Sequence, residues 1–246
     1  MSPVTEDLEQ LTRNLKLRRI GQILDRELSR VPEAQPSHAE FLERLLREEY
    51  QYQQDRRVES RIQRARLPER WSLETFPFKK QPGVKASVIK ELARLEFIGK
   101  GENLIFMGGT GVGKTGLASA LLLKAVQNGY NGLFLKAQDM FDEMFASLAD
   151  RSTRKLVNRL MRIDVLLVDE LGYLNLRPEQ PNIFFKLIEE RYTQKRVTLI
   201  TTNLEYDDWY SFLQNKAMTG ALLDRIRHRC HTIRIDGPTL RSPAEQ

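Results

Sequence analysis

The 246-residue chain is predicted to be an α/β protein, a parallel sheet with helices on both faces preceded by a smaller helical domain. Three observations predict it. Five short apolar runs, residues 103–107, 132–135, 165–168, 198–201 and 231–235, alternate with amphipathic stretches long enough to cross over between parallel strands. A glycine-rich turn follows the first run and opens a helical stretch at 117–126. Upstream, apolar residues recur instead at intervals of three and four, the period of a helix with one buried face. The expected organisation is a helical domain over 1–66, a connector over 67–86 and an α/β domain over 87–246.

The elements follow in order. Over residues 4–30, Leu8, Leu11 and Leu15, then Leu17, Ile20, Ile23, Leu24 and Leu28, predict two short helices broken near Gly21. Pro32 and Pro36 interrupt, and Ser37-His38-Ala39-Glu40 then forms a capping box that starts a long helix. Phe41, Leu42, Leu45, Leu46 and Tyr50 line its first half; the second half is basic, anchored by Val58 and Ile62, and stops before Pro68. In the connector, prolines mix with Trp71, Phe76 and Phe78, which predicts a segment pinned by its aromatic residues. Ser87 is placed to cap a helix bearing Val88, Leu92 and Leu95 and ending at Gly99.

Composition excludes several classes. A single cysteine, Cys230, rules out a disulfide framework or a cysteine-based zinc site and fits a reducing compartment. No run approaches the roughly 18 apolar residues of a spanning helix, and residues 1–7 lack the basic-then-apolar layout of a signal peptide. The expectation is a cytoplasmic protein, neither exported nor embedded in a membrane. Formal net charge is +6, and the excess sits in residues 56–100, which carry 12 basic and 5 acidic side chains. Arg56, Arg57, Arg61, Arg64, Arg66, Lys79 and Lys80 are the candidate contacts to nucleic-acid phosphates. A solvated helix kept soluble by its arginines is the alternative, and charge alone does not choose.

Four motifs carry chemistry. Gly108-Gly109-Thr110-Gly111-Val112-Gly113-Lys114-Thr115, with Gly116 behind it, is a full G-x-x-x-x-G-K-[ST] between a strand and a helix. Its backbone N–H groups would cradle the phosphates of ATP, Lys114 would reach the β- and γ-phosphates, and Thr115 would ligate Mg²⁺. Asp164 to Glu170 is an apolar strand ending in two carboxylates: Asp169 suits the metal shell, and Glu170 suits activation of an attacking water. That pair ranks an ATPase above a small-molecule kinase. Asn203 ends the fourth apolar run, where it is either a water-orienting or γ-phosphate group or a turn residue. Near the C-terminus Arg225, Arg227 and Arg229 are spaced by two, so Arg225 and Arg229 share a helix face that Arg227 does not. They are candidate arginine fingers or the solvated end of a helix. His228 and His231 read as structural.

With these pieces in order, residues from about 85 to 241 resemble the AAA+ ATPases, and the chain is most similar to the IstB family, helper ATPases of insertion-sequence transposition, with DnaC-type helicase loaders as near relatives. The likeness rests on Arg64-Ala65-Arg66-Leu67-Pro68, Phe97 to Asn103, Asp169-Glu170-Leu171-Gly172-Tyr173-Leu174, Thr202-Asn203-Leu204 and Leu222-Leu223-Asp224-Arg225. The resemblance implies the sheet order 5-1-4-3-2, Lys114 and Thr115 as Walker A, Asp169 and Glu170 as Walker B, and Asn203 as sensor I. It also implies Arg225 as a finger acting in a neighbouring subunit and Arg241 as the sensor II counterpart. Only about a dozen residues follow the last strand, too few for the usual helical lid, and Arg241 stands in Thr239-Leu240-Arg241 where relatives often carry an aromatic residue before the arginine. Phe97 and Ile98 are expected to border the adenine. The implied partners are duplex DNA, further copies of the chain and a transposase, and the chain carries no carboxylate triad of a strand-transfer nuclease. The rivals are a helicase loader on single-stranded DNA and a nucleotide-switched adaptor with negligible turnover.

Overall fold

The computed structural model describes residues 6–172 and 174–241. Expectations placed on residues 1–5 and on Tyr173, inside the Asp169–Leu174 motif, lie outside the described residues. The chain divides into two compact units, Met1–Ser60 and Arg61–Gln246.

The first unit holds α1 (Glu6–Asn14), α2 (Arg18–Ala34) and most of α3 (His38–Arg64) around a small core of Ile20, Ile23, Leu24 and Leu45. The capping box forms as predicted: Ser37 N–H donates to Glu40 Oε2 (2.8 Å) and Glu40 N–H to Ser37 Oγ (3.2 Å). Buried Glu49 accepts the free N–H groups of Arg19 (2.8 Å) and Ile20 (3.0 Å), placing a carboxylate at the positive end of α2.

Three expectations are corrected here. The helix break falls at Lys16, not Gly21, because Leu17 N–H returns to the Thr12 carbonyl (2.9 Å) and Lys16 N–H to that of Arg13 (3.0 Å) around a left-handed Lys16 (φ 58°). That pattern satisfies the last carbonyls of α1 and leaves Gly21 inside α2. Pro32 does not interrupt α2 but sits in its last turn, before a left-handed cap at Gln35. On α3, Leu45 is buried whereas Leu42, Leu46 and Tyr50 stay 56%, 50% and 65% exposed, so only part of the expected stripe meets the core.

The second unit is a five-stranded sheet of β1 (Asn103–Gly108), β2 (Gly132–Lys136), β3 (Val165–Leu171), β4 (Val197–Thr202) and β5 (Cys230–Ile235). Every pairing is parallel and the order is β2-β3-β4-β1-β5, which read from the other edge is the predicted 5-1-4-3-2. The central strands β1 and β4 are buried almost throughout, as near-continuous apolar runs covered on both faces must be, while edge strand β5 exposes His231, Thr232 and Arg234. Helix α6 (Lys114–Gln127) follows β1 and is buried nearly all round, with Gly116 set against the Trp71 ring. Helices α7 (Ala137–Ala149), α8 (Thr153–Met161), α9 (Gln180–Thr193), α10 (Asp208–Leu213) and α11 (Lys216–His228) complete the layers. Asn215 caps α11 by accepting the Met218 N–H (3.0 Å).

Before the sheet, the expected helix from Ser87 to Gly99 is two helices, α4 (Ala86–Leu92) and α5 (Glu96–Lys100), and Ser87 lies within α4. Leu95 turns left-handed between them (φ 63°), which lets Leu92, Leu95, Phe97 and Ile98 all reach the core. The last turn of α3 also belongs to this unit: Ala65 is fully buried and its carbonyl accepts the Phe134 N–H of β2 (2.8 Å).

Candidate nucleotide site

The sheet register brings the carboxyl ends of β1, β3 and β4 together, Met107 and Leu171 both pairing with Thr202. From the neighbouring strands β1 and β4 the crossovers diverge, β1 to β2 at one edge and β4 to β5 at the other, so the space beyond these ends is the switch point at which open α/β sheets bind ligands. A cavity of about 490 Å³ opens there, walled by the P-loop, Asp169, Glu170, Lys136, Trp71 and Arg241.

The P-loop runs from the end of β1 into the first turn of α6. Gly113 takes the position before the helix with φ 96°, and a Cβ there would lie 2.9 Å from the Phe76 ring, so this residue needs both the freedom and the smallness of glycine. Lys114 curls into its own loop, its Nζ donating to the carbonyls of Gly108 (2.8 Å) and Gly109 (2.6 Å). Burial pushes its ammonium below the ordinary lysine value, opposed by the negative charges of Asp169 and Glu170.

Asp169 is the centre of the site. It is 3% exposed, and its Oδ1 accepts hydrogen bonds from Thr115 Oγ1 (2.8 Å) and Thr201 Oγ1 (2.6 Å). Burial pushes its carboxyl above the ordinary value, while the Thr201 and Thr115 hydroxyls pull it back. A hydroxyl and a carboxylate in contact beside a phosphate cradle are hard oxygen donors of the kind magnesium takes, so the residues present fit that ion. Glu170, next in the chain, is exposed and held at φ 60° where the β3–β4 register shifts between Val168 and Leu171. Its N–H donates to Thr201 Oγ1 (2.9 Å), so one buried hydroxyl ties both carboxylate residues to β4. The bulge turns Glu170 out of the ladder toward the cavity that it lines.

The other candidates are distributed unevenly. Asn203 follows β4 beside Gly172 and does not line the cavity. Arg241 does line it. Arg225 lies elsewhere, on α11: it donates to the Ala221 carbonyl (2.8 Å), pairs with Glu189 (3.1 Å) and stacks over Phe185. Arg229 likewise faces α9 over Tyr192, and Arg227 turns away onto Tyr206, matching the predicted split of faces. His228 contacts the Tyr192 hydroxyl (3.1 Å) and His231 contacts Glu102 (2.9 Å); among the described residues no group of three or more His, Cys, Asp and Glu side chains comes together as a metal site. Of the basic candidates, Arg56 and Arg57 are exposed in the first unit, while Arg64, Arg66, Lys79 and Lys80 are exposed in the second. Arg61 is half-buried and donates to the Val126 carbonyl (3.3 Å).

Phe97 and Ile98 are buried and do not line this cavity, whose aromatic residues are Trp71 and Phe76. Sequence reasoning also passed over Thr201, whose signal was a polar residue inside an otherwise apolar strand run, and Gln81, which gave no signal.

A parallel sheet in this order with a lysine-bearing phosphate loop on its first strand defines a P-loop protein of the AAA+ type. Solved structures agree on the fold: the crystal structure of DnaI superposes with a TM-score of 0.59 at 22% identity over 68% of this chain and 92% of that one. The DnaC helicase loader gives 0.56 at 23% identity over 68% and 97%. The chain belongs to the family of IstB-like ATP-binding proteins, whose model matches residues 10–245. It is 34% identical over 96% of its length, and 88% of the relative's, to an ATP-binding protein of insertion sequence IS21 from Pseudomonas aeruginosa. Among the described residues no helix is long and apolar enough to cross a membrane.

Proposed function

We propose that this protein is an ATPase that assembles with ATP on duplex DNA and serves a transposase as its helper. The observation that carries the nucleotide part is the Thr115–Asp169–Thr201–Glu170 network at the mouth of the P-loop. In this reading Lys114 leaves the Gly108 and Gly109 carbonyls for the phosphates, exchanging two neutral acceptors for charged ones. Thr115 and Asp169 hold magnesium, which when bound offsets the charge of the triphosphate. Glu170 accepts the proton of the attacking water, its backbone fixed by Thr201 and its side chain free in the cavity. Arg241, which lines the cavity beside Gly111, contacts the nucleotide.

Membership of a family of insertion-sequence proteins supports the transposition role. Arg225 would act in the nucleotide site of the next subunit, giving a head-to-tail contact that closes a ring or continues as a helix. Such an assembly repeats Arg56, Arg57, Arg61, Arg64, Arg66, Lys79 and Lys80 along the DNA, so that many weak phosphate contacts bend or wrap the duplex without reading bases. Hydrolysis then dismantles it. Glu170→Gln tests the scheme: it is expected to keep ATP-dependent DNA binding and trap the assembly. Loss of assembly in that variant contradicts the scheme.

A further inference from the structure

The connector and the C-terminal segment meet the P-loop at one buried amide. Gln81 is fully buried, although Lys79, Lys80 and Pro82 around it are exposed. A carboxamide out of water must have its polar atoms partnered, and those of Gln81 are spent on three backbone groups. Its Nε2 donates to the Val112 carbonyl in the P-loop (3.1 Å) and to the Pro238 carbonyl beyond β5 (3.0 Å), and its Oε1 accepts the Gly83 N–H (3.3 Å). The approach is close: a Cβ at Gly237 would lie 1.7 Å from Gln81 Oε1, so any side chain there displaces the amide. Further on, Leu240 N–H donates to the Gly111 carbonyl (2.8 Å), and Arg241 reaches the cavity that Lys114 and Asp169 line. Residues 236–241 therefore form a strap along the P-loop, joined to it at Gly111 directly and at Val112 through Gln81.

We propose that Gln81 is a positioning residue for nucleotide binding: it fastens the strap to the P-loop and so sets where the Arg241 guanidinium stands over the phosphate cavity. The inference rests on the reading of that cavity as the ATP site. Gln81 acts through Arg241 and the loop backbone, because its donors are already committed to carbonyls. Phosphate entry and strap placement are coupled, since the carbonyls that fix the strap belong to the loop that must receive the phosphates.

The test is ATP affinity by titration calorimetry for the full chain and for Gln81→Leu, Arg241→Ala and the double variant. Gln81→Leu is expected to weaken ATP binding at least about fivefold, and to add less than about twofold once Arg241 is gone, because contacting groups that act together are not additive. Gln81→Glu keeps the shape but has no N–H to donate, and is expected to behave like Gln81→Leu. A folded Gln81→Leu with wild-type affinity, or effects that multiply in the double variant, overturns the proposal. Hydrogen exchange on the unmutated protein decides the matter if the variants do not fold: ATP is expected to slow exchange across residues 236–241, and unchanged exchange overturns the proposal. A wild-type chain that binds no ATP instead removes the nucleotide reading beneath it.

Discussion

Thr201→Val removes one hydroxyl and almost no volume, and two hydrogen bonds go with it: the donation to Asp169 Oδ1 (2.6 Å) and the acceptance of the Glu170 N–H (2.9 Å). Thr201 is fully buried, so no water replaces either. A bond to a carboxylate is worth about 1.5–3 kcal/mol and a neutral one about 1 kcal/mol. The added methyl returns about 0.8 kcal/mol by burial. The net loss is about 2–3 kcal/mol, and at about 2–4 °C per kcal/mol for a chain of this size the melting temperature should fall by about 4–12 °C. Function changes with it. The Thr201 hydroxyl pulls the Asp169 carboxyl down against its burial, so the variant raises that value further and the acid limb of ATP turnover moves to higher pH. Thr201→Ser, which keeps the hydroxyl, should restore most of both. Differential scanning fluorimetry and a pH profile of phosphate release measure the two effects. A Thr201→Val protein melting within about 1 °C of the wild type with an unmoved acid limb would refute the reasoning.

Other outcomes follow from the same contacts. The folded-state value of Asp169 lies above its unfolded one, so its contribution to stability is full below the unfolded value and is lost as pH rises through the folded one. Asp169→Asn should therefore melt higher than wild type at neutral pH, with the gap closing in acid, while ATP turnover disappears; a lower melting temperature at neutral pH counts against this. Glu189→Gln frees Arg225 from a half-exposed ion pair (3.1 Å), with a stability change within about 1 kcal/mol. ATP-dependent assembly should then begin at a lower protein concentration, read by sedimentation, and an unchanged threshold would separate Arg225 from the subunit contact. Arg191 is buried and donates to the carbonyls of Leu160, Ile163 and Val197 and to the Thr198 hydroxyl. Arg191→Met strands those acceptors, and urea unfolding should show a loss of about 3–5 kcal/mol.

The sheet was legible because β1 to β4 are short, largely apolar runs bounded by turn residues, the trace that buried parallel strands leave, whereas the edge strand β5 carries exposed polar residues. The P-loop and the Asp169-Glu170 pair were legible because phosphate and metal chemistry demand particular residues at fixed spacing. Backbone turns without glycine were not. Lys16 and Leu95 adopt left-handed conformations that their residue types disfavour, held there by carbonyl contacts and by the burial of neighbouring leucines, so one break fell before Gly21 and another divided the helix expected to end at Gly99. The same holds at Glu170, whose left-handed turn depends on Thr201, 31 residues later. Gln81 illustrates the limit further: a glutamine between lysine and proline reads as surface, and only the fold brings Val112 and Pro238 to it. The α3 stripe shows the converse, since apolar periodicity identifies a helix face without saying that all of it is covered.

The central claim is that nucleotide and duplex DNA together drive assembly. The mass of the protein by light scattering, with ATP and duplex present together, with each alone and with single-stranded DNA, tests it most directly. The account predicts a large assembly only when ATP and duplex are both present. A chain that stays monomeric in every mixture, or that assembles only on single strands, would contradict it.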